Sequence, residues 1–287
     1  MRRIGIIGGS GLYQMEGLTN RHEIEIETPY GSPSDSVLVG TLGDCELCFL
    51  PRHGRTHTIA PNEINFRANI YALKTLGVET IVSVSAVGSL RQHIAPGDFV
   101  IVNQFIDFTR SGRPSTFFEK GIVGHVSMAD PVCPSLRKNL IEAATQTGVN
   151  VHTTGTYICM EGPQFSSRAE SHVYRQWGAD VVGMTNMPEA KLAREAEICY
   201  ATVALSTDYD CWKEEEEAVS VEMILDTMHR NVVNAKKMLE IFAHMAPNQT
   251  ACHCQEAARY AIITPRDAIS EEIQAKLEPL YGKYFAI

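Results

Sequence analysis

The sequence has no long hydrophobic run. None of its apolar stretches approaches the roughly 20 residues that a membrane-spanning helix needs. The apolar residues after Arg3 meet Gly8 and Gly9 too early to form the core of a secretory signal peptide. These absences predict a cytoplasmic protein with no membrane partner.

Positive charge is also scarce. The 287 residues contain 25 Lys and Arg against 34 Asp and Glu, which gives a formal net charge of −9. No overall positive field is therefore expected to hold a polyanion, and nucleic acid is excluded as a predicted partner. A small anion is compatible with this composition, because one arginine and a few backbone N–H groups are enough to bind it. The hydrophobic share of 44% and the charged share of 21% are typical of a folded globular chain.

Cysteine is too sparse for a fold built on disulfides, with 8 residues in the whole chain. Most of these cysteines lie in apolar segments, where a cysteine usually serves as a small buried hydrophobic residue. Cys252 and Cys254 differ, because they flank His253 in a polar segment. They are too close together for the usual spacing of zinc ligands. The sequence therefore predicts no metal site.

Two common nucleotide-binding motifs are missing. A G-x-G-x-x-G motif counted from Gly9 meets Gly11 in its second position but Gln14 in its third. No glycine-rich segment ends in the Lys-Ser or Lys-Thr of a P-loop. What remains is a tight turn of small residues, which either offers backbone N–H groups and the Ser10 hydroxyl to a free anion or is only a turn. No cofactor is predicted.

Strand and helix patterns alternate along most of the chain, which predicts an α/β fold. Short apolar segments predict strands at 3–7, 37–40, 46–50, 80–85, 99–102, 155–160, 180–184 and 201–206. Periodicity and capping signals predict helices at 62–77, 134–148 and 167–178, and a further helix from Pro188. Residues 104–132 lack clear periodicity and are interpreted as a long functional loop or an inserted arm.

The last part of the chain begins with a strong helical pattern. Apolar residues recur at helical spacing from Val221 to Leu239 and predict a long amphipathic helix. A polar break follows Pro247, and a short helix is predicted after Pro265. Without repeats or an interdomain linker, we predict a single catalytic domain over 1–245. Residues 246–287 are interpreted as a C-terminal extension that packs on the same domain or on a neighbouring subunit.

Basic and small polar residues follow two of the predicted strands. Arg52, His53, Arg55 and His57 fall within six residues directly after the strand at 46–50. Arginine binds phosphate through parallel hydrogen bonds, and a neighbouring histidine can donate another. A solvated surface loop is the alternative. The small residues from Ser85 to Ser89 are expected to close their buried strand with free backbone N–H groups.

Two carboxylates follow the apolar strand at 201–206. Asp208 and Asp210 are two positions apart, so both point to the same side of an extended chain. A turn explains one acid at this place, but two acids at the mouth of a buried strand cost desolvation unless a ligand or a proton compensates. We interpret the pair as functional groups. The acidic run 214–217 is interpreted as a solvated face.

The motifs around these residues resemble those of the 5′-methylthioadenosine phosphorylases, in the trimeric branch of the nucleoside phosphorylases. The matching segments include 5–11, 52–54, 65–69, 88–90, 104–107, 161–170, 183–189 and 207–212. The tail after residue 245 matches less well. The resemblance implies a single-domain nucleoside phosphorylase fold, with a central mixed, twisted sheet flanked by helices.

The resemblance also implies a reaction. It is the phosphorolysis of 5′-methylthioadenosine to adenine and 5-methylthioribose 1-phosphate, which serves methionine and purine salvage and needs no metal or redox cofactor. Inorganic phosphate is the co-substrate. By motif position, the residues implied to hold the phosphate are Ser10, Arg52, His53, Ser85, Ala86 and Thr185.

The nucleoside site is assigned in the same way. Met184 is implied to line the ribose, and Phe165 and Ser166 to lie beside the purine. The apolar residues implied to enclose the methylthio group are Val221, Ile224 and Leu225. Their helical periodicity alone fits plain core positions equally well.

For the base, the resemblance and the chemistry point to the two acids. A protonated Asp208 is expected to donate to N7 of the departing adenine. Asp210 is expected to accept from the 6-amino group or to orient its neighbour. Related phosphorylases of 6-oxopurines use Asn and Glu instead, so two aspartates favour a 6-aminopurine by about 1–3 kcal/mol.

His125 matches a residue that this family contributes across a subunit boundary, so a homotrimer or a hexamer is implied. The C-x-C at Cys252 and Cys254 resembles one that takes part in disulfides in thermophilic relatives, as do the positions of Cys133 and Cys199. Whether such bonds form here is left open, since cytoplasmic disulfides are exceptional outside hyperthermophiles.

Three other functions compete with the phosphorylase. A purine nucleoside phosphorylase acting on inosine or guanosine is the nearest alternative. A nucleoside hydrolase would need neither phosphate nor Arg52. A nucleoside-sensing module would bind adenine compounds without releasing the base.

Overall fold

The computed structural model describes residues 1–9, 11–213, 221–245 and 252–285, without the side chains of 221–225. The strands are β1 (Arg2–Gly8), β2 (Thr19–Ile24), β3 (Val37–Leu42), β4 (Cys45–Pro51), β5 (Thr80–Ser89), β6 (Phe99–Ile101), β7 (Gln104–Phe108), β8 (Val151–His152), β9 (Thr156–Met160), β10 (Val181–Gly183) and β11 (Cys199–Tyr209). The helices are α1 (Phe66–Thr75), α2 (Pro134–Thr145), α3 (Arg168–Gln176), α4 (Asn186–Glu195), α5 (Val221–His244), α6 (Glu271–Lys276) and α7 (Glu278–Phe285).

The strands form one mixed sheet of 11 strands. Its main path runs β2-β3-β4-β1-β5-β10-β9-β7, while β11 pairs with β5 and β6, and β6 pairs with β8. The central strand β5 has three partners. β11 runs parallel along one edge from Thr80 to Ser89, so β1 and β10 must share the other edge. This confirms the predicted α/β fold with a mixed central sheet and flanking helices.

Helices cover the sheet on both sides. One large apolar cluster includes Phe66 and Ile70 of α1, Leu192 of α4 and Tyr281 of α7. A second cluster includes Leu140 of α2 and Leu239 of α5. Five helices therefore lie in two sets, with α1, α4 and α7 in one and α2 and α5 in the other, while Tyr174 of α3 lies in a third, smaller cluster. Among the described helices, none combines the length and the apolar character needed to cross a bilayer.

The buried strands and the capping signals were the most predictable elements. Ser167 and Glu170 form the predicted capping box at the start of α3. Asn65 caps α1, because its side chain accepts a hydrogen bond from the Ala68 N–H group. Helix α1 therefore begins at Phe66, later than the predicted residue 62. The long amphipathic helix is confirmed as α5.

The prediction of a loop or arm over 104–132 is wrong at its start, where Gln104–Phe108 forms β7. This strand ends the main path of the sheet and pairs with β9. Its residues are mostly half-buried, so they show neither a continuous apolar run nor a strict alternation. The predicted end of β5 at Ser85 is also wrong, because pairing with β11 extends this strand to Ser89.

The C-terminal residues from 252 to 285 pack on the same chain. Leu277 and Leu280 lie in the apolar cluster with α1, and the Tyr71 hydroxyl of α1 donates to the Lys276 carbonyl at 3.0 Å. The predicted boundary between residues 245 and 246 adjoins segment 246–251, which lies outside the described residues. The extension as a separate unit stays a prediction.

Candidate active site

A cavity of about 670 Å³ opens beside the middle of β5. The pairing of β5 with β1 ends at Ser83, and its pairing with β10 begins at Gly88. Between these two residues the edge of β5 has no neighbouring strand in the described chain, and residues Val84–Gly88 line the cavity. The predicted availability of backbone groups near Ser85 thus comes from a gap in the sheet and not from the end of the strand.

The cavity brings together most of the predicted site residues. It is lined by Arg52, His53, Ser85, Ala86, Phe165, Met184, Thr185, Asp208 and Asp210. Arg52 and Asp208 thus open into the same cavity, as a reaction between a phosphate and a nucleoside requires.

The remaining predicted residues divide into three cases. The Ser166 hydroxyl donates to the Met160 sulfur at 3.2 Å, and Ser166 is not a lining residue. His125 is exposed and is not a lining residue, and its backbone N–H group donates to the Ala261 carbonyl at 2.9 Å. Ser10 lies outside the described residues. So do the side chains predicted around the methylthio group, which are those of Val221, Ile224 and Leu225.

Several lining residues were not predicted. Met228 and Val232 of α5 line the cavity one and two turns after the residues predicted for this helix, so its helical spacing carried a signal for them. Thr207 lines it between the predicted acids and their strand. The segment 57–61 also contributes, and apart from His57 its sequence carries no chemical signal.

Arg52 is buried below the cavity and is paired with a carboxylate. Its Nε donates to Glu189 Oε2 at 2.8 Å and its Nη2 to Glu189 Oε1 at 3.1 Å. Glu189 Oε1 also accepts from the hydroxyls of Ser83 at 2.7 Å and Tyr200 at 2.9 Å. Burial alone would lower the pKa of Arg52, but the Glu189 carboxylate more than offsets this effect and raises it above its usual value.

This pairing changes the expected role of Arg52. The ion pair is neutral overall, so the cavity floor offers less positive charge than a free arginine would. Nη1 has two hydrogens, and among the described residues the Val84 carbonyl is its one recorded acceptor, at 3.2 Å. The second Nη1 hydrogen is the one that this geometry offers to an anion.

His53 is held as a neutral imidazole. Its Nδ1 lies 2.8 Å from the Ile59 carbonyl, which assigns the proton to Nδ1 and leaves Nε2 as an acceptor. Its ring stacks on His57 with centroids 4.4 Å apart. Burial lowers the pKa of His53 to about 4. In this state Nε2 of His53 can accept a hydrogen bond, whereas the sequence predicted a donor.

The lowered pKa of His53 predicts a fall in stability at acid pH. Between its usual pKa of 6.5 and about 4, the unfolded chain binds a proton at this histidine that the folded chain does not. The free energy of unfolding is therefore expected to decrease as the pH falls through this interval. Urea unfolding of wild type and His53→Gln at several pH values tests this expectation. In His53→Gln the free energy of unfolding should depend less steeply on pH than in wild type. In His172→Gln, which replaces an exposed histidine as a control, the pH dependence should match that of wild type.

Hydroxyl groups surround the same end of the cavity. Thr185 precedes the first residue of α4, and its side chain makes no capping hydrogen bond. The hydroxyl oxygens of Ser85 and Tyr157 lie 3.2 Å apart. Hydroxyl groups such as these can donate to the oxygens of a phosphate, whereas the Met187 N–H group at the start of α4 already donates to the Cys159 sulfur at 3.4 Å. This end of the cavity is therefore suited to an oxyanion.

Met184 is positioned by an ion pair behind it. Arg113 donates to the Met184 carbonyl at 2.8 Å and to Glu161 Oε1 at 2.8 Å. Gly162 has a φ of 68°, and a Cβ added to it would meet the Met184 sulfur at 2.5 Å. A glycine is needed here both for the backbone and for the space. These contacts fix the segment that leads to Phe165, whose side chain is 84% exposed.

Asp208 and Asp210 lie at the C-terminal end of β11, where this strand pairs with the last residues of β5. A bulge between Ser206 and Asp208 inserts Thr207 into the ladder and turns the residues that follow it. The Thr207 hydroxyl donates to Asp208 Oδ2 at 2.6 Å. Asp210 is only 9% exposed, and burial raises its pKa. Two carboxylates in one cavity, one of them disposed to keep a proton, can serve a leaving group that gains negative charge.

Gly88 leaves the space that these acids occupy. A Cβ at this position would lie 3.2 Å from the Asp210 Cβ, 3.3 Å from Asp208 Oδ1 and 3.3 Å from Val182 Cγ1. Gly88→Ala is expected to displace both carboxylates by a few tenths of an ångström and to lower kcat/KM about tenfold or more. The KM for phosphate should stay close to that of wild type. Steady-state kinetics with each substrate varied would contradict this expectation if phosphate were affected equally.

Comparison with known proteins agrees with this geometry. The profile of the Phosphorylase superfamily matches residues 3–244. An S-methyl-5'-thioadenosine phosphorylase of Geobacter sulfurreducens is 53% identical over 281 residues, covering 98% of each chain.

Solved structures are similar over the same length. The crystal structure of a methylthioadenosine phosphorylase from an antarctic soil metagenomic library has a TM-score of 0.93 and 52% identity, covering 97% of this chain and 98% of that one. Methylthioadenosine phosphorylase from Schistosoma mansoni in complex with tubercidin has a TM-score of 0.81 and 37% identity, covering 90% of this chain and 96% of that one. The chain belongs to the phosphorylase superfamily and, within it, to the family of the S-methyl-5'-thioadenosine phosphorylases.

Proposed function

We propose that this protein cleaves 5′-methylthioadenosine with inorganic phosphate and releases adenine and 5-methylthioribose 1-phosphate. The observation that carries the proposal is that Arg52, Thr185 and the pair Asp208 and Asp210 line one cavity. One end of it is suited to an oxyanion and the other to a base that departs with negative charge. The names of the relatives support the same substrate.

Phosphate binds at the end of the cavity formed by Arg52, Ser85 and Thr185. The second Nη1 hydrogen of Arg52, the two hydroxyls and the backbone at Ala86 donate to its oxygens. Nε2 of neutral His53 accepts a hydrogen bond from the protonated oxygen of the phosphate. Because Glu189 already neutralises Arg52, the bound phosphate keeps most of its negative charge to stabilise a cationic sugar.

Cleavage passes through an oxocarbenium-like sugar. The bond between C1′ and N9 breaks, and its electron pair goes to the purine. A phosphate oxygen then forms the new bond to C1′ from the opposite face. Asp208 donates a proton to N7, and Asp210 accepts from the 6-amino group or orients Asp208. Asp208 receives the donor role from its match to the motif of the family, and burial, which raises the pKa of Asp210, favours the protonated form of that neighbouring acid.

The rest of the cavity suits an apolar nucleoside tail. Met184 contacts the ribose, and Phe165 lies beside the purine, with Ser166 behind it. Met228 and Val232 of α5 add an apolar wall near the residues predicted to enclose the methylthio group, namely Val221, Ile224 and Leu225. An apolar wall favours a methylthio group over a hydroxyl group, which would lose its hydrogen bonds to water there.

A substrate panel tests the proposed function. Initial rates of base release are compared for 5′-methylthioadenosine, adenosine and inosine at saturating phosphate. We expect the highest kcat/KM for 5′-methylthioadenosine and the lowest for inosine. A higher rate on inosine would instead indicate a purine nucleoside phosphorylase specific for 6-oxopurines. Binding of all three without release of base would indicate a sensing module.

We also propose that the protein forms a homotrimer, alone or as a dimer of trimers, in which His125 reaches the site of a neighbouring subunit. His125 is exposed and lies next to two exposed apolar residues, Val123 and Ile263, which are 47% and 62% exposed. The mass of the assembly, measured by light scattering, tests this proposal.

Because both products are suited to recycling, we place the reaction in methionine and purine salvage in the cytoplasm.

A further inference from the structure

Four cysteine side chains from three parts of the chain meet outside the cavity. Cys133 precedes α2, Cys199 begins β11, and Cys252 and Cys254 belong to the C-terminal segment. Their four Sγ atoms all lie within 4.8 Å of one another. Cys133 and Cys254 are buried, and the other two are partly buried. None of the four lines the cavity of the candidate active site.

The dimensions of this cluster are those of a tetrathiolate metal site. A tetrahedral zinc ion with Zn–S bonds of about 2.3 Å holds its sulfur atoms about 3.8 Å apart. The sulfurs of Cys199 and Cys252 are 3.3 Å apart, and no pair exceeds 4.8 Å. Small side-chain rotations therefore bring all four sulfurs to zinc distance. The short C-x-C spacing gave no such signal in the sequence, because the other two thiols come from distant positions.

Positive groups lie beside the sulfurs. The backbone N–H of Leu136 in the first turn of α2 donates to the Cys133 sulfur at 3.5 Å. Arg194 Nη1 lies 3.5 Å from the Cys254 sulfur. A helix start and a guanidinium group both stabilise negative charge on thiolates. They offset part of the net double negative charge that four thiolates around one divalent ion would carry.

We propose that Cys133, Cys199, Cys252 and Cys254 bind one zinc ion, which fastens the C-terminal segment to the domain. Four thiol protons pass to solvent as four S–Zn bonds form, and no atom changes its oxidation state. The ion links α2 and β11 to residues 252–285, which contact the domain elsewhere through Glu197: its Oε1 accepts from the Ala258 N–H group at 2.9 Å. The site is structural and takes no part in phosphorolysis.

A single metal ion can bind all four sulfurs of the cluster, whereas one disulfide bonds only two of them. A bond between Cys199 and Cys252 would leave the buried sulfurs of Cys133 and Cys254 as thiols, and two bonds would need an oxidant to accept four electrons. Zinc ligation satisfies all four sulfurs and needs no oxidant. The two chemistries are distinguished by the oxidation state of the thiols and by the metal content.

The test uses the full-length protein. It is reduced, stripped of metal with a chelator and titrated with Co²⁺ without oxygen. We expect one Co²⁺ per chain, with the near-ultraviolet charge-transfer band and the intense visible bands of tetrahedral thiolate ligation, and full displacement by Zn²⁺. Protein isolated under reducing conditions should carry one zinc per chain. Its Tm should fall by about 5 °C or more when the metal is removed.

Two variants complete the test. Cys254→Ser should weaken the charge-transfer band and lower the affinity for Co²⁺ at least tenfold, whereas Cys211→Ser, an exposed cysteine outside the cluster, should bind as wild type does. The proposal is overturned if the reduced wild type shows no thiolate band, or if Cys254→Ser binds equally well. It is also overturned if the protein isolated under reducing conditions contains no metal and its intact mass shows the hydrogen loss of disulfides among these cysteines.

Discussion

Asp208→Asn is expected to lower kcat for 5′-methylthioadenosine by about 100- to 10,000-fold, the range typical of a lost general acid. Asparagine keeps the size of the side chain and can still accept from the Thr207 hydroxyl, which donates to Asp208 at 2.6 Å. It holds no acidic proton for N7, so the adenine must leave as a poorer leaving group. In the proposed mechanism phosphate binds at the other end of the cavity, so its Kd should be almost unchanged. Single-turnover kinetics and phosphate titration measure the two quantities separately.

Asp210→Asn is the matched control for this prediction. If Asp210 accepts from the 6-amino group or orients its neighbour, its loss should lower kcat less than the loss of Asp208 does and should weaken the preference for adenosine over inosine. Because burial raises the pKa of Asp210, the opposite assignment, with Asp210 as the proton donor, is tested by the same experiment. A larger loss in Asp210→Asn than in Asp208→Asn would transfer the donor role to Asp210. Full turnover in both variants would remove the pair from the mechanism.

Among the proposed variants, Glu189→Gln is expected to lower the free energy of unfolding most. The side chains of Arg52 and Glu189 are 3% and 1% exposed, so the variant leaves a buried guanidinium charge without its carboxylate. Breaking one side of a buried ion pair costs about 3–5 kcal/mol. The Tm should fall by about 10 °C in a protein of this size. Ser83→Ala, which removes a neutral partner of the same carboxylate, should cost about 1–3 kcal/mol.

Phosphate should partly rescue this variant. In Glu189→Gln no carboxylate neutralises Arg52, so its full charge is available to the anion. Saturating phosphate is therefore expected to raise the Tm of this variant more than that of wild type. Thermal melts at several phosphate concentrations measure both effects. An equal rise in the two proteins would mean that Arg52 does not contact phosphate.

The sequence was informative where a residue's local surroundings decide its structure. Buried strands such as β1 and β4 are short apolar runs, and the capping box at Ser167 requires only residues three positions apart. The polar edge strand β2 has mostly exposed residues, so its formation depends on pairing with β3 and leaves no hydrophobic pattern. The extension of β5 to Ser89 likewise depends on β11, which is distant in the chain.

The candidate site shows the same division. Arg52 and the aspartate pair were predicted because their residue types and their places after strands suggest anion and proton chemistry. The partner of Arg52 was not predicted, because Glu189 is 137 residues away and becomes its partner only in the fold. The tautomer of His53 was not predicted either, because the loop conformation that brings the Ile59 carbonyl to its Nδ1 leaves no signal in the sequence. The four-cysteine cluster is a further product of tertiary structure.

The fate of phosphate during turnover tests the central claim most directly. The protein is incubated with 5′-methylthioadenosine and isotopically labelled inorganic phosphate, and the products are followed by phosphorus NMR and mass spectrometry. The account predicts that adenine and labelled 5-methylthioribose 1-phosphate form in equal amounts and that omission of phosphate stops the release of adenine. Release of adenine at the full rate without phosphate, with free 5-methylthioribose as the second product, would contradict it and indicate hydrolysis.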